Sequence, residues 1–270
     1  MTNENTVHKS FLLSARKFSQ MTGVSRSTLV YYDKEGILKP AMRDKFTNYR
    51  YYDPQQVITL SFIRQCLFWG IPLSEIKKLL SSRTPADFKL FLSKQHKILV
   101  DRLRTITEQL SALSIYENLI DTGLQVNEPM ISIQEMSRLS IRLGEENSFR
   151  DKTVFFESLY DFMNEIPKSK RYFPLVGYYS DMDAFLSHPS EPTRFALIDP
   201  DGESEKPGCK YLVGYARGYY SQQNDLPLRM KKYAERNNLI FKGPVYKIYL
   251  HDEMCISDPS QYLYQVSAML

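Results

Sequence analysis

The first stretch of the chain shows apolar positions about one helical turn apart over SARKFSQMT (14–22) and again over RSTLVYYDKE (26–35). This spacing predicts two short helices. Gly23 lies between them and tolerates the left-handed backbone of a tight turn, Ser25 is a predicted N-cap, and Gly36 is a predicted C-terminal glycine. Helix, glycine turn and helix form the pattern of a helix-turn-helix, although any helical hairpin gives a similar one.

The next segment, AMRDKFTNYRYYDP (41–54), is basic and aromatic, and its length suits a β-hairpin with a turn over 44–48. Arginine and lysine compensate phosphate charge, and tyrosine hydroxyls bond phosphate oxygens. Asp53-Pro54 then predicts a helix start, with apolar positions continuing until Gly70. IPLSEIKKLL (71–80) predicts a short fourth helix.

A long helix is predicted from Thr84-Pro85 to about Gly123. Its apolar residues follow a 4-3-4-3 spacing, with seven of nine positions apolar, which is typical of a coiled-coil seam. The seam positions are Leu92, His96, Leu99, Leu103, Ile106, Leu110, Leu113, Glu117 and Ile120. The alternative is a helix packed within its own domain. His96 is interpreted as a tolerated polar residue rather than a sensor.

The C-terminal half alternates strand and helix patterns twice, about eighty residues apart, which suggests an internal duplication. The predicted segments are strand 131–143, helix 149–166 and strand 174–180, then strand 209–220, helix 226–239 and strands 244–251 and 261–270. Tyrosine is dense here. Most of these rings are expected in the core, but a cluster of amphipathic rings also suits a pocket for flat ligands.

Composition and charge narrow the class of protein. Residues 1–83 carry 13 Lys/Arg against 6 Asp/Glu, a net of +7, whereas the remainder carries 22 against 25, a net of −3. Only the first third is therefore expected to meet a polyanion. No apolar run approaches the roughly 18 residues of a membrane span, and the N-terminus lacks a signal-peptide core, so a cytoplasmic protein without membrane contact is expected. Cys66, Cys209 and Cys255 are interpreted as free thiols.

The motifs over about 11–82 resemble the MerR family of regulators, in order and register. They are Gly-Val-Ser (23–25), Leu-Val-Tyr-Tyr-Asp-Lys (29–34), Gly-Ile-Leu-Lys-Pro (36–40), Tyr-Arg-Tyr-Tyr (49–52) and Gly-Ile-Pro-Leu-Ser-Glu-Ile (70–76). Val30 departs from the family, which has arginine before the Tyr-Tyr pair; Arg26 is a candidate replacement. The DNA-binding residues that the pattern and the resemblance imply are Ser14, Arg16, Ser25, Arg26, Ser27, Tyr31, Tyr32, Lys34, Arg43, Lys45, Tyr49, Arg50, Tyr51 and Arg64. Arg50 in particular is expected to contact a phosphate.

The layout of the C-terminal half resembles the GyrI-like effector-binding domain of the drug-responsive, BmrR-like branch of that family. The resemblance implies an α+β protein with a winged helix-turn-helix (1–83), an antiparallel coiled-coil dimerisation helix (84–123) and a ligand-binding domain (124–270). Candidate ligand residues are Phe156, Tyr160, Tyr178, Tyr215, Tyr246, Lys247 and Tyr262. Drug-binding relatives carry a glutamate where this chain has Lys247, and another where it has Gln265. Glu157, Asp161 or Asp252 is a candidate replacement countercharge; otherwise the ligand is neutral or anionic.

Other chemistries find little support in the sequence. Metal-sensing relatives use cysteines around the dimerisation helix, but residues 67–208 contain no cysteine. Cys209 and Cys255 have no nucleophile–base arrangement beyond nearby His251 and Asp252. No catalytic residue, metal or cofactor is predicted. The favoured function is an effector-responsive transcription activator that distorts its promoter, with double-stranded DNA, RNA polymerase, a small aromatic or drug-like effector and a second copy as partners. A drug-sequestering protein that only regulates its own expression is the alternative, and a hydrolase ranks below both.

Overall fold

The computed structural model describes residues 11–81, 84–126, 128–147, 152–220 and 224–270. The chain divides into two compact units, Met1–Arg102 and Leu103–Leu270, which are described separately below. Across the described ranges, no helix is both long and apolar enough to cross a membrane.

The first unit contains the two predicted helices, α1 (Ala15–Thr22) and α2 (Arg26–Lys34). The hydroxyl of Ser14 accepts the Lys17 backbone N–H at 3.3 Å and caps α1, and the hydroxyl of Ser25 accepts the Thr28 N–H at 3.0 Å and caps α2. Gly23 closes α1 with a φ of 71°, a backbone conformation in which a side chain is strained. The helix-turn-helix is therefore confirmed, with local hydrogen bonds that fix both boundaries.

The predicted hairpin consists of β2 (Met42–Arg43) and β3 (Arg50–Tyr52). The structure adds a strand that the pattern did not predict, β1 (Leu13–Ser14), which pairs with β3 and gives the order β1-β3-β2. The Tyr52 ring stacks on Phe18 of α1 with ring centres 4.7 Å apart, and both side chains are fully buried. This contact anchors the sheet to the helical core.

Three further helices complete this part of the chain: α3 (Gln56–Phe68), α4 (Leu73–Ser81) and α5 (Pro85–Gln125). Helix α3 begins two residues after the predicted Pro54. The Asp53 carboxylate accepts the Gln55 N–H at 2.7 Å, and the Asp53 N–H donates to the Gln56 side chain at 3.0 Å. The helix pattern predicted over 84–123 corresponds to α5, which passes from the first unit into the second.

The second unit is built on an eight-stranded antiparallel sheet in the order β4-β9-β11-β10-β6-β7-β5-β8. Its strands are β4 (Ile131–Met136), β5 (Leu139–Glu146), β6 (Leu175–Tyr179), β7 (Arg194–Ile198), β8 (Ser204–Lys206), β9 (Cys209–Arg217), β10 (Val245–His251) and β11 (Leu263–Met269). Its helices are α6 (Lys152–Glu165), α7 (Met182–Ser187) and α8 (Leu226–Arg236). The first three residues of the helix predicted over 149–166 lie outside the described residues.

The sheet order shows the predicted duplication. Each half contributes a strand, a helix and two further strands: β5-α6-β6-β7 in the first half and β9-α8-β10-β11 in the second. The third strand of each half lies between the other two, and the halves meet where β6 pairs with β10. The sequence pattern did not predict β7. With β7 included, each half has the same order of one strand, one helix and two further strands.

Both faces of this sheet are covered. On one face, α7 and α8 pack on a cluster that contains Tyr179, Tyr249 and Val266, and α6 packs beside it on Phe195. On the other face, Tyr215, Tyr246 and their neighbours pack with the C-terminal part of α5. Alternate residues of one strand therefore enter different cores.

Candidate DNA-binding surface and ligand cleft

Helix α2 presents a polar and aromatic surface. The side chains of Arg26, Ser27 and Lys34 are exposed, and that of Tyr31 is 48% exposed. In a helix-turn-helix, the second helix carries the side chains that reach base edges in the major groove. The exposed face of α2 thus has the form of a recognition surface.

Tyr32 differs from the other residues predicted to contact DNA. Its side chain is only 6% exposed and packs in the core with Leu29 and Ile37. Burial among these apolar side chains raises the pKa of its hydroxyl. A ring in this position supports the recognition helix from the core side, and its burial argues against the DNA contact that the sequence implies for Tyr32.

An unpredicted ionic contact joins the recognition helix to the hairpin. The carboxylate of Asp33, 2% exposed, accepts hydrogen bonds from Arg43 at 2.5 Å and from Arg50 at 2.6 Å. Burial alone would raise the pKa of Asp33, but its bonds to the two guanidinium groups outweigh this and lower the pKa below its usual value. Arg50, which the sequence suggests as a phosphate contact, therefore also holds the hairpin against α2.

The remaining predicted DNA-binding residues lie at the helix ends, on the hairpin and on α3. Ser14 and Ser25 cap helices, and Ser27 bonds the Ser25 hydroxyl at 2.8 Å. The Arg64 guanidinium donates to the Thr22 carbonyl at 2.8 Å, which ties α3 to the end of α1. Of these residues, Ser25, Ser27 and Arg64 are exposed, as are Arg16, Lys45 and Tyr49, and Tyr51 is half-buried. DNA contact by these residues stays a prediction.

The second unit contains a cleft on the sheet face covered by α6 and α7. Its lining residues are Phe155, Leu175, Gly177, Tyr179, Ser190, Pro192, Phe195, Tyr220, Lys247 and Tyr249. The cleft is narrow: the centre of a water molecule can occupy about 20 Å³ of it, room for about one water molecule, and about 320 Å³ lies between its walls when the solvent at its open mouth is included. Among the described residues of this lining, none is acidic.

Lys247 is the charged residue of this lining. It lies at the middle of β10 and is 6% exposed, and its Nζ atom lies 4.3 Å from the ring centre of Tyr264 and 5.5 Å from that of Tyr249. Within the described ranges, no carboxylate bonds to this ammonium group. Burial lowers the pKa of Lys247 to about 8, because the charged form is poorly solvated there.

The cleft brings together few of the predicted ligand residues. The opposite face of the sheet carries Tyr178, Tyr215 and Tyr246. Successive residues of a strand point to opposite faces, so Tyr246 points away from the cleft that its neighbour Lys247 lines. Tyr262 contacts the cleft residue Tyr249, at 6.4 Å between ring centres, without lining the cleft. Phe156 and Tyr160 are exposed on α6, where Glu157 and Asp161 accompany them around a separate shallow depression.

The cleft residues that the sequence analysis did not select are mostly aromatic or small. Three of them, Tyr179, Tyr220 and Tyr249, belong to the tyrosine-rich C-terminal half of the sequence. Three others, Gly177, Ser190 and Pro192, have no sequence feature that would mark them as ligand-binding residues. Gly177 pairs directly with Lys247, so the space beside the lysine is empty of a side chain. The pairing of β6 with β10 brings Gly177 beside Lys247, a contact that no local sequence pattern shows.

Comparison with known proteins finds sequence similarity to transcription regulators. The family model described as MerR HTH family regulatory protein matches residues 13–83. The multidrug-efflux transporter 2 regulator of Bacillus subtilis is 24% identical over 248 residues, which cover 89% of each chain. An uncharacterized HTH-type transcriptional regulator of Pseudomonas aeruginosa is 34% identical over 100 residues, 35% of this chain and 72% of that protein. The cryo-EM structure of the EcmrR–DNA complex in EcmrR-RPo covers 95% of this chain and 98% of its own at 14% identity and a TM-score of 0.41.

The helix-turn-helix, its basic surface and these relatives define a DNA-binding transcription regulator rather than an enzyme. The chain belongs to the MerR family of HTH regulatory proteins.

Proposed function

We propose that the chain is a homodimeric, effector-responsive transcription activator of the multidrug-resistance type. Two copies bind a promoter, and an aromatic or drug-like molecule in the cleft shifts the dimer to a state that distorts the DNA for RNA polymerase. The observation that carries this proposal is the presence, in one chain, of a recognition surface and of a separate aromatic cleft with an unpaired lysine. Such a protein acts on the chromosome, and hence in the cytoplasm.

The dimer is supported by the surface of α5. Leu103, Ile106, Leu110 and Leu113 follow the predicted seam and are 51–65% exposed in the single chain. A helix with a continuous apolar stripe buries it against a partner. Pairing through 84–123 also places two recognition helices on one DNA, which a two-fold operator requires. The division into 1–83, 84–123 and 124–270 follows from this proposal.

The effector is supported by the shape and chemistry of the cleft. A largely apolar lining with a few polar groups is what small-molecule sites share. The regulator that this chain resembles over 89% of its length is named for a multidrug-efflux transporter.

The test is transcription in vitro from the promoter region of the chain's own gene, with purified protein and bacterial RNA polymerase. Transcript yield is expected to rise when an aromatic compound that binds the protein is added, and the rise should disappear on a promoter whose spacer is shortened to the polymerase optimum. If a compound binds tightly while transcript yield does not change on either promoter, the drug-sequestering alternative is the better account.

A further inference from the structure

The ammonium group of Lys247 is an unusual feature of the second unit. Three of its lysines, Lys170, Lys206 and Lys247, are at least 94% buried. Lys170 donates to Asp199 at 2.9 Å and to Asp201 at 2.7 Å, which raises its pKa despite burial. Lys206 lies against the Met136 sulfur and the Tyr211 ring and lines no described part of the cleft. Lys247 alone of the three lines the cleft.

A second polar group in the cleft also lacks a partner. Tyr249 is 7% exposed, and its hydroxyl oxygen is buried without a hydrogen-bond partner in the described structure. Buried polar groups are nearly always hydrogen-bonded, because an unsatisfied one loses its water without replacement. Tyr249 and Lys247 lie two residues apart on β10 and therefore on the same face of the sheet. Both unsatisfied groups thus face the same cleft.

The surrounding groups do not supply the missing anion. Burial is the one cause of the lowered Lys247 pKa, so no carboxylate of the described residues acts on it appreciably. Glu253 lies near the mouth, but its carboxylate accepts the Tyr220 hydroxyl at 2.8 Å. The hydroxyl of Tyr179 donates to the Pro189 carbonyl at 2.7 Å. In the described structure, neither group forms an ion pair or a hydrogen bond with Lys247.

The remaining lining is apolar and narrow. Phe155, Leu175 and Phe195 form one wall, and Pro192 lies across from Gly177. A Cβ atom at Gly177 would lie 3.4 Å from Pro192 Cβ and 3.5 Å from Lys247 Cβ, which is ordinary contact distance. The absent side chain therefore leaves room beside Lys247 for about one methyl group.

From these contacts we infer that the cleft binds an aromatic anion, whose carboxylate or equivalent acid group pairs with Lys247 and accepts the Tyr249 hydroxyl while its ring packs on the aromatic lining toward the open mouth of the cleft. This inference rests on the proposed effector function and assigns the class of effector. A cation of the same shape would bring a second positive charge next to a desolvated one, which is strongly unfavourable.

The experiment compares three ligands with one apolar body and different charges: 2-naphthoate, 2-naphthamide and 2-naphthylmethylammonium. Isothermal titration calorimetry with the full-length protein at pH 7 is expected to give the order anion, neutral amide, cation, with the anion at least tenfold tighter than the cation. Tighter binding of the cation, or failure of all three to bind at millimolar concentration, would overturn the inference.

Three variants test where the ligand binds. Lys247→Met should remove the anion preference, whereas Lys206→Met, which removes a similarly buried lysine away from the cleft, should keep it. Gly177→Ala should weaken all three ligands together, since its methyl group narrows the cleft beside Lys247 without changing charge. An anion preference that survives Lys247→Met in a protein that still unfolds cooperatively would place the anion site elsewhere.

Binding and transcription fail separately in this design. If naphthoate binds through Lys247 and transcript yield does not change, the anion site stands and the activator proposal fails. If transcript yield responds to a ligand whose affinity is the same for wild type and Lys247→Met, the activator proposal stands and the anion site is wrong.

Discussion

Replacing Asp33 with asparagine removes one charge from the contact between the recognition helix and the hairpin and keeps the shape of the side chain. The carboxylate is 2% exposed, and the guanidinium partners Arg43 and Arg50 are 47% and 20% exposed. The variant therefore leaves two arginines without their shared countercharge, one of them largely buried.

Breaking a fully buried ion pair costs roughly 3–5 kcal/mol, and an exposed pair contributes only about 0–1 kcal/mol. The pair of Asp33 with Arg50 is closer to a buried pair, because Arg50 is only 20% exposed. The pair with Arg43 is closer to an exposed pair, because Arg43 is 47% exposed. Asp33→Asn is thus expected to lower the free energy of unfolding of the first unit by about 2 kcal/mol at pH 7. With a urea m-value of roughly 1–2 kcal/mol/M for a unit of this size, the midpoint should fall by about 1–2 M.

Urea unfolding followed by tryptophan fluorescence measures this change directly. The chain has a single tryptophan, Trp69, which packs on the core of the first unit. Glu35→Gln, an exposed neighbour on the same helix end, is the matched control and should change the free energy by less than about 0.5 kcal/mol. DNA affinity should fall with Asp33→Asn, since the hairpin loses its attachment to α2.

The pH dependence gives an independent check. The pKa of Asp33 is lowered in the folded chain, so its stabilising contribution is complete above the unfolded value of about 4 and is lost as pH falls through the folded value. The difference between wild type and Asp33→Asn should therefore persist at pH 5–8 and shrink in stronger acid. A midpoint shift no larger than that of Glu35→Gln would show that the contact does not hold the hairpin.

The other predictions concern the recognition helix, the dimer and the buried lysines. Tyr32→Phe should leave DNA affinity nearly unchanged because the ring is buried. Lys34→Ala should reduce the salt slope of DNA binding by about one unit. The reverse result in fluorescence anisotropy would show that the exposed face of α2 is not the DNA-binding surface. Leu110→Glu should give monomers in analytical ultracentrifugation, and a variant that stays dimeric would place this leucine outside the interface. Burial lowers the pKa values of Lys247 and Lys206 to about 8, so the unfolded chain holds more protons between about pH 8 and 9.5 and the free energy of unfolding should rise over that range. Lys247→Met should flatten this rise in urea titrations, and an unchanged slope would mean that the lysine is well solvated.

Local sequence signals are sufficient to predict the helix boundaries of the first unit. Ser14, Gly23 and Ser25 act through hydrogen bonds and backbone angles within three or four residues, so their effect is visible without the rest of the fold. The same holds for the long apolar seam of α5, whose spacing depends only on the helical repeat. The two-residue strand β1 carries no such local signal, because its partner Tyr52 lies 39 positions away from Leu13.

The pairing of distant strands sets which side chains line the cleft. All seven residues of β10 are buried, so no alternation of polar and apolar positions shows which of them share a face. A shift of one residue exchanges Tyr246 for Lys247, and strand pairing alone fixes that choice. The buried contact of Asp33 with Arg50 depends in the same way on a hairpin that folds back across 17 residues of chain. Local chemistry sets where helices begin and end, and pairing between distant segments sets which charges and rings meet.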